Sequence, residues 1–285
     1  MVVVTVVYLC ALIVFYLLSA KKYSDIVDSL DKKSYPFKSL MPVGLFILET
    51  FKYSYNTSYD RRLISAMAEL YGHKQALMFL KIHWGNKITL MFLSLLFAFF
   101  ISSGSDLSIE YGVFCVLLPC AIAYSCDRDV FEKVKKRRTA LQLEFPDFVN
   151  KITLLINAGM TVSRAWEKAA SDNGKQTPLY MELRKTNQEI RAGVPEYKAY
   201  EEFAKRCRVP VITRFISVIL QNLRKGNSEL VPILRVFANE CWELRKNTAK
   251  KYGEEASTKL LLPMMMMFVA ILIIVALPAV LALKT

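Results

Sequence analysis

The sequence has little of what a catalytic or metal site needs. It contains only two histidines, His73 and His83, which lie ten positions apart rather than the three or four that place two ligands on one helical face. It has no phosphate-binding loop of the form G-x-x-x-x-G-K-[ST], no G-x-S-x-G and no H-E-x-x-H. Its six cysteines show no metal-ligand spacing and are interpreted as small apolar residues. The sequence therefore predicts neither an enzyme nor a bound cofactor or metal.

Charge is missing from four apolar segments, residues 2–20, 88–102, 111–125 and 260–283. The first and the last are about as long as the ~20 residues that a helix needs to cross a bilayer. The two middle segments are shorter, but they flank a short polar loop at 103–106, as a membrane hairpin would require. We interpret all four segments as membrane spans.

A cleaved signal peptide is the alternative for the first segment. No Lys or Arg precedes the segment, and Leu18 stands where the cleavage pattern requires a small residue. A retained helix is therefore favoured over a signal peptide.

Basic residues outnumber acidic ones, 38 to 25, and their distribution predicts the orientation. Residues 21–87 contain 11 Lys and Arg, and residues 127–259 contain 26. Since basic residues near spans stay on the cytoplasmic side, both segments are predicted to be cytoplasmic and both termini to lie outside. This topology explains the net charge of +13 without nucleic acid as a partner. Because the spans lack ionisable residues apart from Glu110 at an outer edge, a transporter is disfavoured.

A basic run follows the third predicted span and includes Lys135, Lys136, Arg137 and Arg138. Its position next to the membrane is enough to explain it. The alternative is a docking patch for an acidic partner or for lipid headgroups.

The residues between the third and fourth spans have the period of amphipathic helices and no useful period of two. In 141–160 we place Pro146 in the first helical turn and Gly159 just after the last. Prolines 178, 195 and 210 are predicted to begin further helices, and Gly193 and Gly226 to end two of them. Asn227 or Ser228 would cap a last helix that continues through 243–259 into the final span, with a kink or restart at Pro263.

Residues 21–87 are less regular than the segment that follows the hairpin. An apolar patch at 40–51 is too short to span, so we expect it to be interfacial or packed on the bundle. Residues 61–81 predict one amphipathic helix that leads into the first arm of the hairpin. That arm is expected to begin earlier than Ile88, because 78–84 is also largely apolar.

The predicted organisation is all-α. It consists of a span at 1–20, a cytoplasmic segment at 21–87, a membrane hairpin at 88–125, a bundle of about six helices at 126–259 and a span at 260–283.

The bundle contains a set of spaced motifs: Glu144–Phe148 with Pro146, Ala158–Gly159 with Val162 and Ala165, Gly193, and Gly226 ahead of Leu230 and Leu234. On these residues the bundle resembles the type II secretion F domain of the GspF/TadB/TadC platform proteins. The order of spans and bundle is similar to that of Tad-type members. The resemblance covers residues 61–283 and includes a single F domain. Family members of the full GspF kind carry two F domains.

The resemblance implies a non-catalytic platform in the cytoplasmic membrane that couples a hexameric secretion ATPase to the assembly of pilin-like subunits. With one F domain, the chain would need a companion platform protein or would self-associate. The alternative is a passive membrane anchor or signalling adaptor whose bundle binds another cytosolic protein.

Overall fold

The computed structural model describes residues 8–10, 14–19, 22–23, 37–51, 53–102, 109–171, 176–223 and 230–282. Every regular element within these ranges is helical, so the predicted all-α class is confirmed. The predicted hairpin loop at 103–106, Gly226, and the caps Asn227 and Ser228 lie outside the described residues. The chain divides into two compact units, Met1–Arg137 and Arg138–Thr285.

The described helices follow one another with short connections. In chain order they are α1 Met41–Thr50, α2 Ser58–Tyr71, α3 Ala76–Ser102, α4 Ile109–Asn157, α5 Val162–Ala170, α6 Pro178–Arg191, α7 Glu196–Cys207, α8 Pro210–Leu223 and α9 Leu230–Ala282. A 3₁₀ turn at Lys38–Leu40 precedes α1, and residues 8–10 and 14–19 are also helical.

One helix of the described part is long and apolar enough to cross a bilayer, by length and composition alone. It is the stretch Leu230–Ala276 of α9, and none of the most apolar part of this stretch is buried by the other described residues. A shorter apolar helix, Tyr8–Ser19, runs partly over residues outside the description. The four-span topology therefore stays a prediction.

In the first unit α1 lies directly against α3, backbone on backbone. A Cβ atom at Gly44 would overlap the carbonyl oxygen of Gly85, and one at Gly85 would press on Leu45. Two facing glycines let helices approach this closely, as small residues do in membrane bundles. The apolar patch predicted at 40–51 is thus a helix packed on α3, with Met41 and Leu48 buried.

The single helix predicted over 61–81 is wrong, because the chain breaks at Gly72. Helix α2 ends at Tyr71, Gly72 has φ +87°, and α3 begins at Ala76. Only glycine adopts that φ without a steric penalty, so the helix ends at this position. The period of apolar residues continues in the sequence past Gly72, which is why it predicted one helix. The expectation that the helix begins earlier than Ile88 is confirmed, since α3 begins twelve residues before it, whereas the hairpin itself stays a prediction.

The core of the second unit is built around aromatic rings. Trp166 is fully buried, and its ring centroid lies 5.0 Å from that of Phe148, 4.6 Å from Tyr200 and 5.3 Å from Phe203. Phe215 from α8 packs edge-on against Phe145 at 5.3 Å. These rings come from four helices, so the apolar faces predicted from the period converge on one core.

The predicted helix boundaries in this unit are largely confirmed. Pro178 and Pro210 are the first residues of α6 and α8, and Pro195 is the N-cap of α7. Gly159 and Gly193 have φ +90° and +91°. After Gly159 the two closing hydrogen bonds run from Gly159 N to Ile156 O and from Met160 N to Leu155 O, the Schellman pattern of a helix end.

The placement of Pro146 in a first helical turn is wrong, because Pro146 lies deep inside α4. Proline in a helix interior costs about 3 kcal/mol and leaves the carbonyl of Gln142 without its usual donor. The helix continues for two reasons. Residues 126–145 contain no Gly or Pro. Phe145 and Phe148 are also completely buried, and their burial is worth about 3–6 kcal/mol in total.

Helix α9 runs without interruption from the core to the last apolar segment. Leu230, Leu234 and Phe237 are buried at its start, whereas its residues from 260 to 275 are exposed. The continuation predicted from the sequence is confirmed, and Pro263 lies within the helix rather than at a new start.

We predict that Gly159→Ala lowers the free energy of unfolding by about 1–2 kcal/mol, because alanine is strained at φ +90°. The same change at Gly253, an open site within α9, should raise it by up to about 1 kcal/mol, because alanine is the better helix former. Thermal melts of the purified chain would compare the two. Equal effects of the two substitutions would contradict the role given to Gly159.

Candidate functional site

A charged cluster is enclosed in the first unit where α3 meets α4. His83 and Lys87 lie four residues apart on one face of α3, and Asp127 projects from α4. The Nε2 atom of His83 lies 2.9 Å from Oδ1 of Asp127, and Lys87 Nζ lies 2.7 Å from Oδ2. The side chains of His83, Lys87 and Asp127 are only 6%, 11% and 17% exposed, so the charges of Lys87 and Asp127 have been largely removed from water to form this contact.

Aromatic rings complete the enclosure of Lys87. Its ammonium lies 4.9 Å from the ring centroid of Trp84 and 5.2 Å from that of Tyr59, and it donates to the Tyr59 hydroxyl at 3.3 Å. A cation over aromatic faces regains part of the interaction it loses with water.

The Trp84 ring also donates a hydrogen bond to a second carboxylate, that of Asp60 at the start of α2. Trp84 Nε1 donates to Asp60 Oδ1 at 2.9 Å, and the Tyr53 hydroxyl donates to Oδ2 at the same distance. Asp60 also closes the capping box with Thr57, whose backbone N–H donates to it at 3.2 Å. Its side chain therefore caps α2 and ties it to α3.

Burial and hydrogen bonding act in opposite directions on Asp127. Burial disfavours its ionised form, but hydrogen bonds from Lys87, Tyr59 and His83 outweigh burial and lower the pKa of Asp127. Burial is the larger effect on His83 and lowers the pKa of its imidazole below the ordinary value. At neutral pH the ring is therefore neutral, and its Nε2–H donates to the ionised carboxylate.

This cluster can hold two helices together, but it lacks the parts of a catalytic or metal site. Both oxygens of Asp127 already accept from neighbouring side chains. No group of three or more potential metal ligands occurs among the described residues. We therefore interpret the cluster as a clasp between α3 and α4 at the end of the apolar segments 88–102 and 111–125.

The sequence analysis missed this clasp, although the sequence holds a signal for it. Lys87 and Asp127 are the charged residues nearest the two middle apolar segments on the side away from the hairpin loop. They are also equidistant from residue 107, so the two arms of a hairpin would bring them to the same level.

The predicted docking patch is distributed around α4 rather than gathered on one face. Lys135, Lys136 and Arg138 are exposed, whereas the Arg137 side chain is mostly buried and lies 4.0 Å from Glu69. Four consecutive residues of a helix point in four directions. Only part of the run can face one partner, and its docking role remains a prediction.

The predicted family positions of the bundle lie at helix ends or in the core. Gly159 and Gly193 end α4 and α6, and Pro146 borders a cavity of about 170 Å³ between α4, α8 and α9. Pro210 from α8 and Leu244 from α9 also line this cavity. Gly226 lies outside the described residues.

A guanidinium in the second unit fastens α7 to α6. Arg206 Nε donates to Glu182 Oε2 at 2.7 Å, Nη1 to Glu189 at 3.0 Å, and Nη2 to Thr186 Oγ1 at 2.9 Å. The three acceptors share one face of α6. Because this planar group bonds to three positions at once, it fixes the register of the helix pair.

A comparison with protein families finds a match within this helical bundle. Residues 148–278 match the family model "Type II secretion system (T2SS), protein F". The match runs from the end of α4 into the apolar part of α9 and includes Gly159, Gly193 and Gly226, but neither Pro146 nor the docking patch. It supports the resemblance to the GspF/TadB/TadC family. No curated protein and no solved structure matches the chain.

We predict that Asp127→Asn lowers the free energy of unfolding by about 3 kcal/mol, because it leaves the Lys87 ammonium buried without a counter-charge. Asp129→Asn, on an exposed residue of the same helix, is the matched control and should change it by less than about 0.5 kcal/mol. Adding Lys87→Met to Asp127→Asn should restore part of the loss. Additive effects of the two changes would contradict the pairing.

We predict that stability decreases as pH falls from 7 to 5. The unfolded chain protonates His83 near pH 6.5, whereas the folded protein resists that proton until a lower pH, so acid favours unfolding. Thermal melts across this range should show a shallower slope for His83→Gln. The other histidine, the exposed His73, is the control, and His73→Gln should keep the wild-type slope.

Proposed function

We propose that this chain is a non-catalytic platform protein of the cytoplasmic membrane in a secretion or pilus-assembly machine. The observation that carries the proposal is the match of residues 148–278 to protein F of the type II secretion system. The compact helical bundle and the long apolar helix that leaves it are consistent with such a platform.

In this proposal the chain is a Tad-type member with a single F domain. It crosses the membrane four times, with both termini outside and the bundle in the cytoplasm. Because it holds one F domain, it works with a companion platform protein or with a second copy of itself. The lack of catalytic motifs in the sequence suits a protein that positions and couples others.

The proposed task is to couple a hexameric secretion ATPase in the cytoplasm to the insertion or removal of pilin-like subunits. Helix α9 supports this idea mechanically. Its first turns are buried with Leu230 and Leu234 in the core, and the same helix carries the apolar residues from 260 onward. A displacement of the bundle would therefore move the apolar segment, which offers uncharged surface to pilin helices.

Deleting the gene for this chain should abolish surface filaments while pilin synthesis continues. Electron microscopy would score the filaments, and immunoblotting the pilin. Complementation with wild type should restore filaments.

The basic run is tested by complementation with a variant. If the basic run binds the ATPase, Lys135→Glu/Lys136→Glu should fail to restore filaments, and the variant chain should no longer co-purify with the ATPase. Lys250→Glu/Lys251→Glu, an exposed pair with the same charge change, is the matched control and should complement.

Normal filaments in the deletion strain would refute the proposed role and leave the passive anchor or adaptor. The topology is tested separately in the same strain with reporter fusions after Asp106 and at Thr285. Both reporters should be active outside. Cytoplasmic activity at either position would contradict the four-span arrangement without deciding the role.

A further inference from the structure

The first unit holds a second feature, an open cavity of about 550 Å³ beside α1 and α3. Its lining combines cations, phenols and aliphatic side chains. The cations are Lys22 and Lys81, the phenols Tyr23, Tyr53 and Tyr55, and the aliphatic wall includes Leu45, Leu48 and Ile82. The volume is within the range of small-molecule sites.

Among the described charges of this cavity, Lys81 acts on Glu49 only at a distance and forms no direct contact with it. Lys22 Nζ lies 2.7 Å from Glu49 Oε2, and the Tyr23 hydroxyl donates to the same carboxylate, so Glu49 is already engaged. Within the described residues, the Lys81 ammonium makes no hydrogen bond or ion pair. Two lysines and one carboxylate among the described lining residues add up to a net charge of +1, which suits a ligand with a single negative charge.

Tyr55 adds a hydrogen-bond donor to the same wall. Its φ of +50° is a left-handed backbone conformation that costs a non-glycine residue about 1–2 kcal/mol. In this conformation its ring lies edge-on to Tyr53 at 5.0 Å and borders the cavity. Strain of this kind often accompanies a binding site.

The cavity lies at the level where apolar segments give way to polar ones. Lys22 follows the first apolar segment, and Lys81 lies seven residues before the apolar stretch that begins at Ile88, about 10 Å along the helix. Tyr8 stacks on Phe92 at 6.1 Å, so this residue of the first apolar segment lies beside the apolar part of α3. In a bilayer the cavity would face the headgroup layer, with its aliphatic wall nearest the hydrocarbon.

We propose that this cavity binds the phosphodiester headgroup of one anionic phospholipid. The phosphate would contact Lys81, Lys22 and the Tyr55 hydroxyl, and the glycerol and first acyl carbons would lie along Leu45 and Ile82. A zwitterionic headgroup is disfavoured, because its own ammonium would meet Lys81 while Glu49 is already occupied. This inference rests on the proposed placement in the cytoplasmic membrane.

Native mass spectrometry of the detergent-solubilised full chain tests this site with short-chain phosphatidylglycerol, phosphatidylcholine and glycerol phosphate as probes. We expect one phosphatidylglycerol to bind at least about fivefold more tightly than phosphatidylcholine, and Lys81→Gln to weaken it about fivefold. Lys74→Gln, on an exposed residue outside the cavity, should bind as wild type. Tyr55→Phe keeps the ring and should also weaken binding.

Equal binding of the two lipids, or wild-type binding by both Lys81→Gln and Tyr55→Phe, would overturn the site. If glycerol phosphate displaces phosphatidylglycerol at equal concentration, the site binds a soluble phosphate, and the proposal of a lipid ligand is wrong. Circular dichroism of each variant checks that it is folded. The binding assay needs neither filaments nor an ATPase, so its failure is distinguishable from failure of the proposed platform role.

Discussion

An ionised carboxylate that leaves water costs several kcal/mol unless strong donors replace its hydration. Asp127 meets this requirement only where Lys87 and His83 both reach it, so the requirement sets the register of α3 against α4. A slip of one helical turn, about 5.4 Å, would leave these groups buried and unpaired. The apolar segments beyond the clasp, 88–102 and 111–125, contain no pair of opposite charges that could set that register in the same way.

The second unit depends on a different kind of interaction. Helices α5 to α8 are 9 to 14 residues long, too short to be stable in isolation. They are held by burial of their apolar faces around Trp166, and Arg206 fixes how α7 lies on α6. Burial supplies most of the stability, and the directional guanidinium supplies the geometry.

Much of this architecture could be predicted from the sequence, because helix ends and apolar faces are local properties. Pro178, Pro210, Gly159 and Gly193 mark boundaries through their own backbone restrictions, and the period of apolar residues gives the buried faces. The errors arose where tertiary packing overrides local rules. Pro146 is carried inside α4 by the burial of its aromatic neighbours. The pairing of Lys87 with Asp127 had a signal in the spacing of the two charges around the hairpin, but its aromatic enclosure did not. The cavity had none, because its residues are distant in sequence and meet only after folding.

Helix α9 joins the rigid core to the apolar segment, so its stiffness decides how far a motion of the bundle travels. An unbroken helix carries displacement along its axis with little loss. Bending is easier where a backbone hydrogen bond is missing, and Pro263 removes the one that would reach the carbonyl of Lys259. That position lies where charged residues end and the uncharged segment begins. In the proposed platform, a push along α9 would therefore cross this point, whereas a sideways swing of the bundle would be taken up there, so the proposal favours translation over tilting as the motion that α9 would transmit.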